Sequence, residues 1–458
     1  MRVIICGAGQ VGYNIANYLS REDNEVTVID VDAALIGQIN DDLDVNGVVG
    51  HASNPDVLNA AGANNADMMI AVTMSDEINM VACQIGHSLF SIPKKIARIR
   101  QQSYLDPAWS NLFSRSHMPI DVIISPEQVI ANDIYQRLSV PGTTFVNTLA
   151  NGKAHMVGVI CEENCPVLNT PLEHLPNLFP ELSFKVICIL RNNKPIIPEM
   201  TEQLEPGDEA YFVTDTDHLY RALAAFGHEE KQARSIVITG GGNIGLGLTR
   251  MLLERRRGLQ IKMIEKNATR ARYLSEQLED IIVLKGSGLD KDILEEASID
   301  HVGTYIAVTN DDENNILGSL LAKQYGCERV ITLVNNEVYT PLIGTLGIDA
   351  MVLPKATIVA TIMQHVRRGR IKGLHNLRDG FAEVIEAEVS ETASIANTTI
   401  ANLELPADVI IATIVRAGKV IMPDHETVIK PGDLVVILAA REQVHSVEKM
   451  FSVHVDIF

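Results

Sequence analysis

The chain has 458 residues, 46% of them hydrophobic, and carries 38 basic against 58 acidic side chains, a formal charge of −20. Such a length fills several hydrophobic cores and predicts two to four domains. The acidic surplus repels nucleic-acid phosphates and an anionic lipid leaflet alike, and the longest apolar runs, such as Leu434 to Ala440, fall far short of the roughly 18 residues a membrane-crossing helix needs. No nucleic acid and no direct membrane insertion are therefore expected, and membrane association has to run through a protein partner.

Met-Arg-Val-Ile-Ile-Cys-Gly at the N-terminus reads as a core strand entering a glycine turn, without the regions of a signal peptide, and predicts a cytoplasmic protein. The strand, Val3 to Cys6, leads into Gly7-Ala8-Gly9-Gln10-Val11-Gly12, after which Val11, Ile15, Ala16 and Leu19 recur at helical spacing. Strands follow at Glu25 to Ile29, Met69 to Val72 and Lys95 to Ile99 with helical stretches between them, the pattern of a parallel sheet covered on both faces. Ser125-Pro126-Glu127 places a proline at a helix start, and the apolar periodicity after it ends near Leu138. A smaller α+β pattern comes next, with a strand at about Phe184 to Leu190, a turn at Asn192-Asn193, a further strand and a helix running toward Phe226.

The chain then repeats itself. Ile-Val-Ile-Thr-Gly240-Gly241-Gly242-Asn243-Ile244-Gly245 matches the first glycine segment at an offset of 240 − 7 = 233, and Ala307-Val-Thr309-Asn310-Asp-Asp-Glu-Asn-Asn315 matches Ala71-Val-Thr73-Met74-Ser-Asp-Glu-Ile-Asn79 at 307 − 71 = 236. Pro431-Gly432-Asp433 matches Pro206-Gly207-Asp208, Leu353-Pro354-Lys355 opens a second linking helix that ends near Val366, and Val409 to Val415, a turn at Ala417-Gly418 and a helix toward Phe451 repeat the smaller pattern. The expected fold is α/β: two tandem Rossmann-like, doubly wound parallel-sheet domains, each followed by a small α+β domain. The expected boundaries are 1–124, 125–230 with the linking helix, 231–352, and 353–458 with the second linking helix.

Gly-x-Gly-x-x-Gly is weak alone, but here it twice follows a strand, opens a helix and precedes an acidic residue at about the expected distance. Asp30 lies 30 − 7 = 23 residues beyond its first glycine and Glu265 lies 265 − 240 = 25. In that arrangement the glycines allow a tight turn and close approach of a pyrophosphate, which sits at the helix N-terminus, while the carboxylate binds ribose hydroxyls and disfavours a 2′-phosphate. Asp32 and Lys266 adjoin the two acids. Thr73 and Met74, with Thr309 and Asn310, lie at carboxyl ends of strands, where open parallel sheets bind ligands. Arg98 ends another strand and is placed to meet a phosphate; the matching stretch ending Asn335-Asn336 has no arginine. That difference implies a first site tolerant of a triphosphate and a second suited to a less charged dinucleotide. The bland alternative is a pair of glycine turns that bind nothing, with solvated acids at strand ends.

These segments, with Gly50-His-Ala-Ser and Ile96-Ala-Arg98-Ile-Arg100, closely resemble the family of regulatory subunits of Trk-type potassium uptake systems, and the resemblance covers essentially the whole chain. It implies small domains like those of potassium-conductance regulators and adenine-nucleotide binding at Gly7 through Val11, Asp30, Thr73, Met74 and Arg98, then at Gly240 through Ile244 and Glu265. It also implies NAD(H) and ATP or ADP as ligands, a homo-oligomeric ring, and a peripheral position on the cytoplasmic side of the inner membrane against a membrane-embedded potassium transport subunit. Two departures fall in the second half: Lys285-Gly-Ser-Gly288 where an acidic Gly-Asp-Ala turn is expected, and Asn335-Asn336 in place of basic residues.

An NAD-dependent oxidoreductase shares the fold and the glycine loop, but it needs a substrate domain supplying an acid or base near the nicotinamide, and His51, His87 and His117 lie inside the first repeat while the small domains hold only isolated histidines such as His174 and His218. A nucleotide sensor for a different transporter is the other alternative. Gly-x-Ser-x-Gly, Gly-x-x-x-x-Gly-Lys and His-Glu-x-x-His motifs are absent from the sequence, so no catalytic role is expected. Cys6, Cys83, Cys161, Cys165, Cys188 and Cys327 read as reduced thiols, and no metal site is expected.

Overall fold

The computed structural model describes every residue except 22–23, 193, 344–345, 367–370, 378–380 and 452–458. The chain divides into two compact units, residues 1–131 with 353–366, and residues 132–352 with 367–458.

In the first unit, apolar runs make strands buried on both faces. β1 (Arg2–Cys6), β2 (Glu25–Asp30), β3 (Asn46–Val49), β4 (Met68–Ala71), β5 (Lys94–Arg98) and β6 (Val122–Ile124) form one parallel sheet in the order β3-β2-β1-β4-β5-β6. Ile5, Cys6, Met69, Ile70 and Ala71 are wholly inaccessible, as parallel sheets covered by helices require. The crossovers are α1 (Gln10–Ser20), α2 (Ala33–Asp42), α3 (Pro55–Ala60) and α4 (Asp76–Ser88). The strand order reverses between β1 and β4, which opens a crevice at their carboxyl ends. The helix Pro354–Val366 completes this unit from far along the chain, packing on α1 and β6, and its His365 carbonyl accepts from the Lys94 ammonium.

In the second unit, α5 (Pro126–Ser139), whose first turns belong to the first unit, leads to β7 (Phe145–Leu149), β8 (Ala154–Ile160), α6 (Leu175–Leu178), β9 (Phe184–Arg191), β10 (Lys194–Ile196), β11 (Glu209–Asp215) and α7 (Leu219–Ala225). The expected turn at Asn192-Asn193 falls partly on residue 193, outside the described residues. A second parallel sheet follows: β12 (Ser235–Thr239), β13 (Gln260–Glu265), β14 (Ile282–Lys285), β15 (Thr304–Ala307), β16 (Arg329–Leu333) and β17 (Ala350–Val352), in the order β14-β13-β12-β15-β16-β17, the same as the first. Its helices are α8 (Asn243–Arg255), α9 (Ala268–Gln277), α10 (Lys291–Glu296), α11 (Asp312–Gln324) and α12 (Thr340–Ile343). Arg329 of β16 donates to the carbonyls of Arg137 and Thr143, both at 2.9 Å, and the Arg255 guanidinium lies 5.0 Å from the Tyr135 ring, so the end of α5 packs on this domain.

After α13 (Pro354–Val366) come β18 (Ile371–Leu377), β19 (Ala382–Glu388), β20 (Val409–Arg416), β21 (Lys419–Ile421), β22 (Leu434–Ala440) and α14 (Val444–Met450). The two small antiparallel sheets share one topology, β7-β8-β11-β9-β10 and β18-β19-β22-β20-β21, and their apolar faces meet in a common core that includes Met156, Cys188, Tyr211, Val384, Ala412 and Val436. The repeated Pro-Gly-Asp segment has a physical purpose: Asp208 and Asp433, each only 1% exposed, take bidentate hydrogen bonds from Arg191 and Arg416 across the sheet. The fold class read from the sequence is the fold observed.

Candidate functional site

The glycine loops sit at the two crevices, and the three glycines of each are there for different reasons. Gly7 adopts φ +114°, and an added Cβ would lie 3.0 Å from the Thr73 amide nitrogen; at Gly12 it would lie 1.8 Å from the Gly7 carbonyl oxygen. Gly240 and Gly245 repeat this, with φ +108° and an added Cβ 2.8 Å from the Val308 carbonyl in one case and 2.1 Å from the Gly240 oxygen in the other. The middle glycines differ. Gly9 and Gly242 have ordinary φ of −63° and −65°, and a Cβ on either would meet nothing within 4 Å. No protein atom requires glycine there, and the space beside the backbone is open.

Gly9 and Gly242 are also the N-cap residues of α1 and α8, and neither helix has a side-chain cap. The first-turn N–H groups and the positive end of the helix dipole therefore face the crevice. Ala8, Gly12, Gly241 and Gly245 are buried beneath each loop, Gln10 and Asn243 are exposed at its tip, and Val11 and Ile244 are half-buried.

The acids tie each loop to the next strand. Asp30 accepts from the Ala8 amide at 2.6 Å and the Asp32 amide at 2.9 Å; Glu265 accepts from Gly241 at 2.8 Å and Asn267 at 2.7 Å. With two bonds each, both carboxylates keep acceptor capacity. Asp32 caps α2 through the Ala34 amide, and Asn267 caps α9 through the Arg270 amide.

Opposite the loops, Thr73 and Thr309 are each held by a wholly buried asparagine. Asn79 Oδ1 accepts from the Thr73 amide and hydroxyl at 2.9 and 2.7 Å while its amide nitrogen donates to the Arg98 carbonyl at 2.9 Å; Asn315 does the same with Thr309 at 2.9 and 2.6 Å and with Leu333 at 2.9 Å. Leu333 thus occupies the register of Arg98. The Arg98 guanidinium donates to the Thr73 carbonyl at 2.6 Å beside the Met74 sulfur, its Nε is buried without a partner, and burial pulls it below the ordinary arginine range. Met74 is 79% exposed on the lip.

In the second domain the crevice is a cleft of about 290 Å³ whose walls include Gly240, Gly242, Glu265, Lys266, Gly286, Ser287, Gly288, Thr309, Asn310 and Asp311. It brings four of the expected second-half residues together, with Gly241, Asn243, Ile244 and Gly245 outside the wall. The two sequence departures leave the backbone plan of the crevice in place. At Gly288 a Cβ would lie 2.7 Å from the Tyr305 hydroxyl, which bonds Thr239 at 2.8 Å in the cleft floor; the first domain has Ala52, Met69 and Cys6 at these positions. Asn335 and Asn336 give their backbone N–H groups to Asp312, as Arg100 and Gln101 give theirs to Asp76, so the contact survives the change of side chain.

TrkA-N domain sequences match residues 3–126 and 236–354, and the TrkA-C domain matches residues 384–452. The Trk system potassium uptake protein TrkA of Azorhizobium caulinodans is 46% identical over 458 residues, with both chains covered completely. The chain belongs to the TrkA family. TrkA proteins of Halomonas elongata and Vibrio alginolyticus are each 37% identical, over 100% and 98% of both chains. Among solved structures, the GsuK RCK domain superposes with a TM-score of 0.59 at 17% identity, covering 98% of this chain and 94% of that one, and the GsuK channel bound to NAD with 0.60 at 17%, covering 98% and 78%. Both share the fold. The TrkA relatives are named as potassium uptake proteins, not as enzymes.

Sequence reasoning passed over Asn79 and Asn315, although both stood in the repeated segment that carries Thr73 and Thr309. It also passed over Arg270, whose place beside the loop depends on how α9 lies against β13. All six cysteines are buried and unbridged, and among the described residues no group of three or more His, Cys, Asp or Glu side chains converges to hold a metal. No helix among the described residues is long and apolar enough to cross a membrane.

Proposed function

We propose that this chain is the peripheral cytoplasmic regulatory subunit of a Trk-type potassium uptake system, binding NAD(H), ATP or ADP at its two glycine loops and controlling a separate membrane-embedded transport subunit. The observation that carries it is the pair of middle glycines: Gly9 and Gly242 are free of any protein constraint, at uncapped helix ends suited to phosphates. A fold neighbour that binds NAD supports the ligand class, and the potassium uptake relatives support the system.

In this reading the pyrophosphate lies on the first turns of α1 and α8, along Gly7 through Gly12 and Gly240 through Gly245. Asp30 and Glu265 use their remaining lone pairs for ribose hydroxyls. Thr73, Met74 and Arg98 flank the far half of the ligand in the first domain, and Thr309 does so in the second. The duplicated crevices suit a homo-oligomeric ring with two shapes, and nucleotide shifts the ring only by binding one shape more tightly. NAD(H) supplies no chemistry here beyond being recognised.

The test is to titrate the purified full chain with NADH, NAD, ATP and ADP while following NADH absorbance, and then to measure nucleotide-dependent potassium flux with the transport subunit in vesicles. Saturable binding without NADH loss, and flux that changes with nucleotide, is the expected result. NADH consumption in the presence of a metabolite would replace this reading with an oxidoreductase.

A further inference from the structure

The two crevices carry their positive charge at opposite ends. In the first, the cation is Arg98, on the β4–β5 side, and the positions flanking Asp30 are Val31, Leu35 and Val49. In the second, Leu333 replaces the arginine, and the matching flanking positions are Lys266, Arg270 and Lys285. The correspondence follows from the helices: α2 and α9 begin at Ala33 and Ala268, so Arg270 stands where Leu35 does.

Arg270 is held for a purpose its own contacts leave unfinished. Its Nε donates to the Gly241 carbonyl at 2.6 Å, and its guanidinium carbon lies 4.9 Å from the Tyr273 ring centroid, so its position is fixed. Its Nη2 is nevertheless buried without a hydrogen-bond partner. A buried guanidinium N–H left unpaired is costly and uncommon in folded proteins. Lys266, immediately after Glu265, lines the cleft itself, while Arg270 stands outside the cleft wall, against the glycine loop through Gly241. Both Glu265 oxygens already accept from backbone N–H groups, so its carboxylate is tethered to the loop and to the start of α9. On the far lip the second cleft carries Asn310 and Asp311, where the first has Met74 and Ser75. Positive charge is thus concentrated at the β13–α9 side, where a Rossmann domain holds the adenosine ribose and where an arginine accommodates a 2′-phosphate.

We propose that the second cleft takes an adenine dinucleotide bearing a 2′-phosphate, of the NADP(H) type, with Lys266 and Arg270 binding that phosphate, while the first cleft takes unphosphorylated adenine nucleotides. This rests on the reading of the second glycine loop as a nucleotide site, and it reverses for that site the exclusion of 2′-phosphate drawn from Glu265 alone.

Calorimetric titration of the full chain with NADPH and with NADH, on wild type, Lys266→Ala, Arg270→Ala and the charge-keeping Arg270→Lys, tests it. The expected result is one NADPH per chain, an affinity about tenfold lower in each alanine variant, and partial recovery in Arg270→Lys. NADH affinity should change by less than about threefold in the same variants. NADH binding with no NADPH binding overturns the inference and leaves the nucleotide reading intact. Equal weakening of both ligands overturns it too, by making the cations general phosphate or loop contacts. Failure of both nucleotides to bind at all removes the nucleotide reading and this inference together.

Discussion

The two Rossmann domains share a strand order, a glycine loop and a buried asparagine, yet the floors of their crevices are built from different chemistry. The first is lined below by Cys6, Met69, Ala52 and Ala82; the second has Thr239, Tyr305, Gly288 and Gly318 at the same places. The Tyr305 ring is fully buried, burial pushes its hydroxyl up to about 12, and both glycines leave room for it, since a Cβ on Gly288 or Gly318 would lie 2.7 or 2.8 Å from the hydroxyl oxygen. The backbone plan is therefore preserved by compensating changes of volume and polarity.

That contrast can be broken most severely at the loops. Gly12→Ala or Gly245→Ala drives a methyl into a carbonyl oxygen on backbone that has no space to yield, and each should cost about 3 kcal/mol or more, read as a lower unfolding midpoint in denaturant. Gly9→Ala or Gly242→Ala has open room and should stay within about 1 kcal/mol of wild type, while nucleotide affinity falls at least about tenfold. A similar loss of stability at all four positions would show that the middle glycines are structural after all.

Next in size are Asn79→Ala and Asn315→Ala. Each removes a wholly buried amide that pairs a threonine amide with a carbonyl of the neighbouring strand, so each should cost roughly 2–4 kcal/mol, about equally in the two domains. A difference well above 1 kcal/mol would mean that the crevices are not framed alike.

Gly288→Ala sharpens the comparison of the floors. Alone it should destabilise by about 1–3 kcal/mol through collision with the Tyr305 hydroxyl and Thr239. In a Tyr305→Phe background the part of that loss due to the hydroxyl should disappear while the contact with the Thr239 methyl stays, a coupling that a double-mutant cycle on thermal unfolding measures directly. Additive effects would place the strain elsewhere. The smallest expected effect is at the helix caps: Asp32→Ala and Asn267→Ala should each cost about 1 kcal/mol.

Much of this was legible in the sequence. β1, β2, β4 and β5 were readable to within about a residue because a parallel strand buried on both faces is a nearly unbroken apolar run, and the linking helices were readable from Pro126 and Pro354 at their starts. The edge strands β3 and β6, of four and three residues and only partly buried, carry too little apolar signal. The packing of α13 on α1 and β6 was not readable, because its periodicity shows that it has an apolar face and not which domain receives it. At the crevices, the glycines and acids were picked out by motif spacing and the threonines by their place at the carboxyl ends of strands. The roles of Asn79, Asn315 and Arg270 did not, since they depend on contacts between strands and helices distant in sequence.

The central claim is that each chain offers two separate nucleotide sites, one at each middle glycine. The most direct measurement is the calorimetric stoichiometry of nucleotide binding, with NADH, ADP and NADPH, to wild type, Gly9→Ala, Gly242→Ala and the double variant, each verified as folded. Two sites per chain in wild type, counted over the three ligands, with the NADPH site lost in Gly242→Ala, the NADH or ADP site lost in Gly9→Ala and neither left in the double variant, is the predicted result. Unchanged stoichiometry in the folded double variant would contradict it and return both loops to the role of scaffolding.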